Sequence, residues 1–319
     1  MLQSSLIPTF ILLLASTNSF GSAFLPDRSQ QTSVAVELRA AKTISSSTNS
    51  YLDNLKNVKL SFSDLIQNPI VNPDELVAYS HANFDYFEVS KLTSKGPRKN
   101  ADVGQPHDAT RPLVSCNDGK TKTGSWWCAA GGWPSPNLRD TTEVFYVFSG
   151  RGCVTDLDGM PHHFGPGDVV VLPKGWSGRW DVLEDVHKVW VTHDHEHVEE
   201  VGNPIRATIV TNDSLTPNET SSVPHDASVG CPITASRTYY NVGPTEVGVW
   251  TCTPGSFPKS IPRDTVEAFH VLEGTFFVTN ADGSAMRCGP GDTVVLPKGW
   301  TGKWDVIEKM KKIWVVINE

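Results

Sequence analysis

Residues Gly165–Val191 read GPGDVVVLPKGWSGRWDVLEDVHKVWV, and Gly289–Val315 read GPGDTVVLPKGWTGKWDVIEKMKKIWV. The two stretches lie 124 residues apart and are identical at 19 of 27 positions. The same offset aligns Arg139-Asp140-Thr141 with Arg263-Asp264-Thr265, Glu143 with Glu267, and Gly150 with Gly274. A fixed-offset recurrence of this kind is a duplication, so the chain holds two related domains and any functional reading has to cover both.

Within each copy, short β-rich runs alternate with turns. Phe145 to Phe148 and Phe269 to Leu272 run up to a Gly, and Asp158-Gly159 and Asp282-Gly283 are hairpin signals. In Gly165-Pro166-Gly167-Asp168 and its counterpart at Gly289, Pro and Gly stand where a type II turn requires them, because Gly takes the positive φ without strain. Apolar runs at Val169 to Leu172 and Thr293 to Leu296 follow, and a Val/Trp-rich strand closes each copy. Neither copy contains a long amphipathic helix. The pattern predicts an all-β chain of two closed or sandwiched antiparallel units.

A length of 319 residues with 39% hydrophobic content can bury two cores. A net charge of −8, without any Lys/Arg run, excludes a nucleic-acid partner. Of six cysteines only Cys128 and Cys252 are repeat-equivalent, which reads as two small buried hydrophobes. Leu6 to Ala15 is apolar but broken by Pro8 and too short for a stable membrane span; with the small residues that follow, it reads as a signal peptide over 1–23. Residues 24–50 are Ser/Thr-rich and carry Arg28, Arg39 and Lys42, as a transit peptide does.

The junction Gly21-Ser22-Ala23-Phe24-Leu25-Pro26 resembles the ASAFAP-type motif of bipartite plastid presequences in diatoms and related algae. That resemblance implies import into the chloroplast of a secondary-plastid alga, with Phe24 first after cleavage. Secretion is the alternative, and sequons at Asn212 and Asn218 suit it. The remaining chain divides into an N-terminal extension (51–104), a first domain (105–197), a linker (198–224) and a second domain (225–319). Asn72-Pro73-Asp74-Glu75 is a helix-start signal within the extension, which is expected to pack on the first domain.

The segments Glu143 to Gly150, the Gly-Pro-Gly-Asp turn and Pro173 to Val182, each with its counterpart in the second copy, resemble the cupin superfamily. They are most similar to the ureidoglycine aminohydrolase-like cupins, also called DUF861 or Cupin_3. The resemblance covers both copies and implies a bicupin: two tandem cupin jelly-roll (double-stranded β-helix) barrels behind a mixed N-terminal extension. Metal-binding cupins carry a His-x-His pair shortly before the Glu and a further His in the second motif. Here the paired positions fall on Asn137 and Arg139 or Leu138 and Asp140, on Ile261 and Arg263 or Pro262 and Asp264, and the later one on Gly178 or Gly302. Glu143 and Glu267 alone remain, and one carboxylate beside an Arg makes no multidentate metal site. The expected cofactor is therefore none; manganese, which the ureidoglycine enzymes use, or another divalent metal is the alternative.

Strand alternation places Arg139, Thr141 and Glu143 on one face, as it does Arg263, Thr265 and Glu267. Trp180 and Trp304 come from the opposing motif. Together these residues suggest a barrel pocket for a small anionic metabolite: Arg139 and Arg263 hold the anion with Thr141 and Thr265, Trp180 and Trp304 pack it, and Glu143 and Glu267 serve as acceptor or acid/base, their pKa raised by burial. The same row also reads as a self-satisfied polar network beneath a Trp plug. Three classes stay open: a metabolite-binding module, an aminohydrolase- or isomerase-like enzyme, and a structural or assembly protein.

Because cupins often pair through sheet faces, the resemblance also implies a homodimer. His193-Asp194-His195-Glu196-His197 reads as a solvated tail in preference to a Zn or Cu site, and His162-His163 as a surface hairpin. His107-Asp108-Ala109 and His225-Asp226-Ala227 recur 118 residues apart, which suggests a common structural setting. Trp126/Trp250, Trp176/Trp300, Trp180/Trp304 and Trp190/Trp314 read mostly as core anchors. No nucleophile triad, P-loop or dinucleotide motif is present.

Overall fold

The Gly-Pro-Gly-Asp segments form the turns their sequence predicts. Gly167 and Gly291 take φ of 89° and 92°, and the N–H of Asp168 and of Asp292 donates back to the carbonyl of Gly165 and of Gly289 at 3.1 Å. Each turn is locked a second time by its own aspartate, whose carboxylate accepts the N–H of Gly165 or Gly289. The computed structural model describes residues 77–196, 204–217, 221–224 and 226–318. The presequence and the Asn72 helix start lie outside them.

These turns connect antiparallel strands into two jelly-roll barrels, each made of a seven-stranded and a four-stranded sheet. In the first barrel the large sheet runs, in spatial order, Thr208–Val210, Val169–Leu172, Thr142–Ser149, Val186–His193, Thr121–Cys128, His107–Cys116 and Thr93–Pro97. Its small sheet runs Gly131–Ser135, Gly178–Val182, Gly152–Asp156 and Pro161–Phe164. The second barrel repeats this plan. Its large sheet is Ser80–Ala82, Thr293–Leu296, Thr265–Glu273, Met310–Asn318, Thr245–Cys252, Thr234–Val242 and Ser221–Ser222, and its small sheet is Gly255–Lys259, Gly302–Val306, Phe276–Asn280 and Ala285–Cys288. Among the described residues helical structure is limited to three short 3-10 turns.

The extension serves both barrels, which corrects the expectation that it packs on the first. Ser80–Ala82 pairs with Thr293–Leu296 of the second barrel, whereas Thr93–Pro97 pairs with His107–Cys116 of the first. The edge place that Ser80–Ala82 fills in one barrel is filled in the other by Thr208–Val210, from the segment between the domains.

Period-two alternation sorts the core. Phe145 and Val147 point into the first barrel with Trp126, Trp176 and Trp180, while Val144 points the other way and joins Val169, Val171 and Val191. That outer layer packs on Val266, Ala268, Ile313 and Val315 of the second barrel. Both large sheets are therefore covered on two faces, which explains why Val169–Leu172 and Thr293–Leu296 are buried at every position instead of alternating. The two large sheets thus pack face to face within one chain. Cys128 and Cys252 are fully buried, and burial pushes their thiols up to about 11 and about 12.

Candidate functional site

The interior of the first barrel is built from strands that each deliver one polar or aromatic group at the barrel centre. Thr142–Ser149 brings Glu143, and its neighbour Val186–His193 brings Lys188, Trp190 and Thr192 by alternation. Lys188 Nζ donates to Glu143 Oε1 at 2.8 Å, and Arg139 Nη2 donates to Oε2 at 2.7 Å. Around the ammonium stand three rings, with centroids 3.7 Å (Phe145), 4.7 Å (Trp180) and 4.8 Å (Trp126) away, close enough for cation–π attraction. Lys188 is 3% exposed and Glu143 8%. A buried ammonium at this depth is tolerated only because the carboxylate neutralises it.

A second cation completes the mouth. Arg98, which follows the extension strand Thr93–Pro97, lies 4.1 Å above the Trp133 ring and donates to Asp108 Oδ2 at 2.9 Å. The same oxygen accepts Trp126 Nε1–H at 2.7 Å, so one buried carboxylate fixes both the guanidinium and the indole. Trp133 stacks on Trp180 with planes 9° apart, and Trp180 stacks in turn on Phe145. A cavity of about 270 Å³ remains between these groups. Its aromatic walls are Trp126, Trp133, Trp180 and Trp190, and its charged lining is Lys95, Arg98, Arg139 and Lys188 against Glu143.

The surplus of positive charge sets the acid–base character. Burial by itself would raise the Glu143 carboxyl, but the Lys188 and Arg139 charges and their hydrogen bonds outweigh it and hold the group at about 2. The expectation of a carboxyl raised into the useful acid range is therefore corrected: Glu143 is a firmly ionised counter-ion. Burial lowers the Lys188 amine, Arg139 and Arg98 lower it further, Glu143 opposes them, and the result is about 8.

The second barrel reproduces the inner constellation. Lys312 Nζ donates to Glu267 Oε1 at 2.6 Å, Arg263 Nη1 lies 3.0 Å from Oε2, and Lys312 faces Phe269, Trp304 and Trp250. Glu267 is likewise lowered: burial raises it, but Lys312 and Arg263 prevail. The mouth differs. Register places Thr234 opposite Cys252 where Asp108 stands opposite Cys128, and Ser236 opposite Trp250 where Thr110 stands opposite Trp126. Sequence equivalence at the 124-residue offset puts Phe257 at Trp133 and Val316 at Thr192. The carboxylate that anchors Arg98 therefore has only a threonine as its counterpart in the second barrel.

Of the residues singled out by sequence, Arg139, Glu143 and Trp180 meet in the first barrel, and Arg263, Thr265, Glu267 and Trp304 in the second. The Arg-x-Thr-x-Glu row is not one extended strand in the first barrel, because Arg139 precedes Thr142–Ser149. Its backbone is tied instead to the Pro173 to Trp176 turn, through Arg139 N–H to Trp176 O and Gly175 N–H to Arg139 O. Arg139 consequently reaches Glu143 directly, and Thr141 is not among the cavity residues. Thr265 instead accepts from Arg263 Nη2 at 3.1 Å. Sequence reasoning missed Lys188 and Lys312, although a lysine repeated at the same offset inside an apolar strand was a usable signal.

Three histidine expectations are settled by burial. His193 and His195 are not a solvated tail: they are 1% and 8% exposed, their rings stack at 5.3 Å, and they bond Thr121 and Thr142. His197 lies outside the described residues. His107-Asp108-Ala109 and Asp226-Ala227 do not share a setting, since Asp108 is buried in a strand and Asp226 is exposed in a turn; His225 lies outside the described residues. By register the counterpart of Asp108 is Thr234, as each stands opposite the repeat-equivalent cysteine. His162 is half-buried against Asp156, and His163 is exposed.

The residues that line the first-barrel cavity do not fit a resident metal ion. Among the described residues the cavity lining offers no imidazole, and its one carboxylate is already taken by two cations. At Gly178 and Gly302, the positions of the absent second-motif histidine, a Cβ would stand 2.0 Å from Thr155 O and 2.1 Å from Thr279 O, so no side chain can enter there.

Comparison with known proteins matches the EutQ-like cupin domain, Cupin_3, to residues 116–190 and again to 241–314. No curated protein matches the sequence significantly. A DUF861 protein from Pseudomonas syringae pv. tomato superposes with a TM-score of 0.53 at 18% identity, covering 75% of this chain and 99% of its own. Protein YlbA from E. coli, also DUF861, gives 0.53 at 12% identity, covering 80% and 96%. A conserved-barrel cupin from Leptotrichia buccalis gives 0.50 at 12% identity, covering 76% and 98%. At these identities the likeness is one of fold.

Proposed function

Because this chain is a bicupin of the Cupin_3 type, and one fold hosts many chemistries, we propose its function from the site itself: the first barrel binds a small anionic metabolite without a metal ion. The observation that carries this reading is the charge count around the cavity. Lys95, Arg98, Arg139 and Lys188 face Glu143 and the Asp108 beneath Arg98, so four cations against two carboxylates leave a surplus of two positive charges. In a cavity walled by indoles that surplus favours an anion, with Arg98 and Arg139 as hydrogen-bonding forks and Trp133 and Trp180 as packing surfaces. A volume of about 270 Å³ suits a metabolite of small-carboxylate size. Lys188 is a built-in cation against Glu143, which supports a site that works without a metal ion.

Tryptophan fluorescence tests the reading. Malonate titrated into the full chain should produce a saturable change from Trp133 and Trp180, whereas its neutral diamide should not. Arg98→Met should weaken malonate binding roughly tenfold, the loss of one charge-assisted pair. Equal responses to malonate and malonamide would sink the proposal. We also propose plastid import, resting on the Phe24 junction and the Ser/Thr-rich segment after it.

A further inference from the structure

Lys188 does more than complement a carboxylate, because it is a primary amine in the wall of a cavity that also carries two guanidinium groups. Its Nζ lies 2.8 Å from Glu143 Oε1, which fixes the amine's position in that wall. Phe145, Trp126 and Trp180 pack around it and desolvate its charged form, the setting in which an amine loses its proton most readily. Resting on the reading of the cavity as an anion site, we propose that Lys188 condenses reversibly with the carbonyl of a 2-oxo acid to form an imine, with Arg98 and Arg139 holding the adjoining carboxylate.

The proton that Lys188 loses goes to cavity water and comes back from it. The Lys188 ammonium releases a proton to water in the cavity, and the freed Nζ lone pair adds to the keto carbon as the C=O π bond breaks. A second proton moves from nitrogen to the new alkoxide. Cavity water then returns a proton to that hydroxyl, which leaves as water while the C=N bond forms and Glu143, ionised throughout, faces the resulting iminium. One ammonium and one ketone thus give one protonated imine and one water, with no change of oxidation state. The groups that bear on the amine from the packed elements are Glu143, Arg139, Arg98 with its partner Asp108, Lys95 and the buried Cys128. Their balance leaves the amine at about 8, so imine formation should quicken as pH rises toward that value. The second barrel supplies an internal control. Lys312 has the same carboxylate and ring partners, but its barrel lacks the Asp108-anchored guanidinium.

The test is reductive trapping on the full chain. Pyruvate with sodium cyanoborohydride, followed by peptide mapping, should place one carboxyethyl group on Lys188 well above Lys312 and the surface lysines. Acetone, a ketone without a carboxylate, should show no such preference. Lys188→Arg keeps a cation against Glu143 and should abolish the adduct, while Arg98→Met should lower its occupancy roughly tenfold. Calorimetry with pyruvate and with lactate, which has no carbonyl, separates the two claims. If both bind and Lys188 is labelled no more than Lys312, the imine is overturned and the anion site stands. If neither binds, the cavity reading itself fails.

Discussion

Replacing Glu143 by Gln removes the carboxylate that pairs with both Lys188 and Arg139 while keeping the side chain's volume. Two routes give the size of the effect. Removing one partner of a buried ion pair costs about 3–5 kcal/mol, since the other charge is left uncompensated. Independently, the Glu143 carboxyl sits at about 2 against an ordinary 4.5, and at 1.36 kcal/mol per unit the ionised form contributes about 3 kcal/mol to folding. A carboxyl depressed in the folded state contributes stability above its unfolded pKa and loses it as pH falls through the folded value. Wild type should therefore weaken progressively between about pH 4.5 and about pH 2. Glu143→Gln should be less stable at pH 7 by about 3 kcal/mol, roughly 6–12 °C in Tm for a folded unit of this size, and should show a shallower acid limb that keeps only the share of Glu267 and the other depressed carboxylates. Urea denaturation followed by tryptophan fluorescence at pH 7 and pH 3 reads both. A variant within about 0.5 kcal/mol of wild type at pH 7, with its acid limb intact, would refute the idea that Glu143 is a paired, ionised group.

Other expectations concern packing, charge and targeting. Glu143→Gln combined with Lys188→Met removes both charges together, and its urea midpoint should lie closer to wild type than that of Glu143→Gln alone, because an apolar pair often replaces a buried ion pair at little cost. Gly178→Ala would drive a Cβ to 2.0 Å from Thr155 O and should destabilise by about 1–3 kcal/mol or more, whereas Gly165→Ala meets only the flexible Arg151 side chain at 3.6 Å and should leave the melting temperature nearly unchanged. Elemental analysis of untagged protein should find no stoichiometric Mn, Fe, Zn or Ni; one equivalent per chain would reverse the reading of the barrel. A fluorescent fusion of residues 1–60 should enter the plastid and Phe24→Ala should strand it outside, while secretion of the intact fusion would contradict the presequence reading.

The fold was readable because its punctuation is local. Gly167, Gly175 and their counterparts need positive φ, and a turn residue reports that need within four positions of sequence. Glu143 and Arg139 were visible as a repeated pair for the same reason. Their direct contact was not, because it depends on Arg139 being tied to the Pro173 to Trp176 turn and released from the strand. Lys188 was hidden by its company: a lysine between His187 and Val189 resembles an exposed strand position until Trp190, two residues on, is seen to share its inward face. Arg98 could not be read locally at all. It enters the cavity only because Thr93–Pro97 adds to the sheet edge beside His107–Cys116, a pairing set by the tertiary fold. The buried His193 and His195 misled for a related reason, since polar residues after a final strand look solvated until Thr121 and Thr142 are placed against them.

The most direct test of a metal-independent anion site is a calorimetric titration of malonate into the full chain, run with and without a strong chelator. Saturable binding at one site per chain is expected, unchanged by the chelator and weakened in both Arg98→Met and Arg139→Met. Binding that vanishes with the chelator, or that survives both arginine substitutions at full strength, would contradict it.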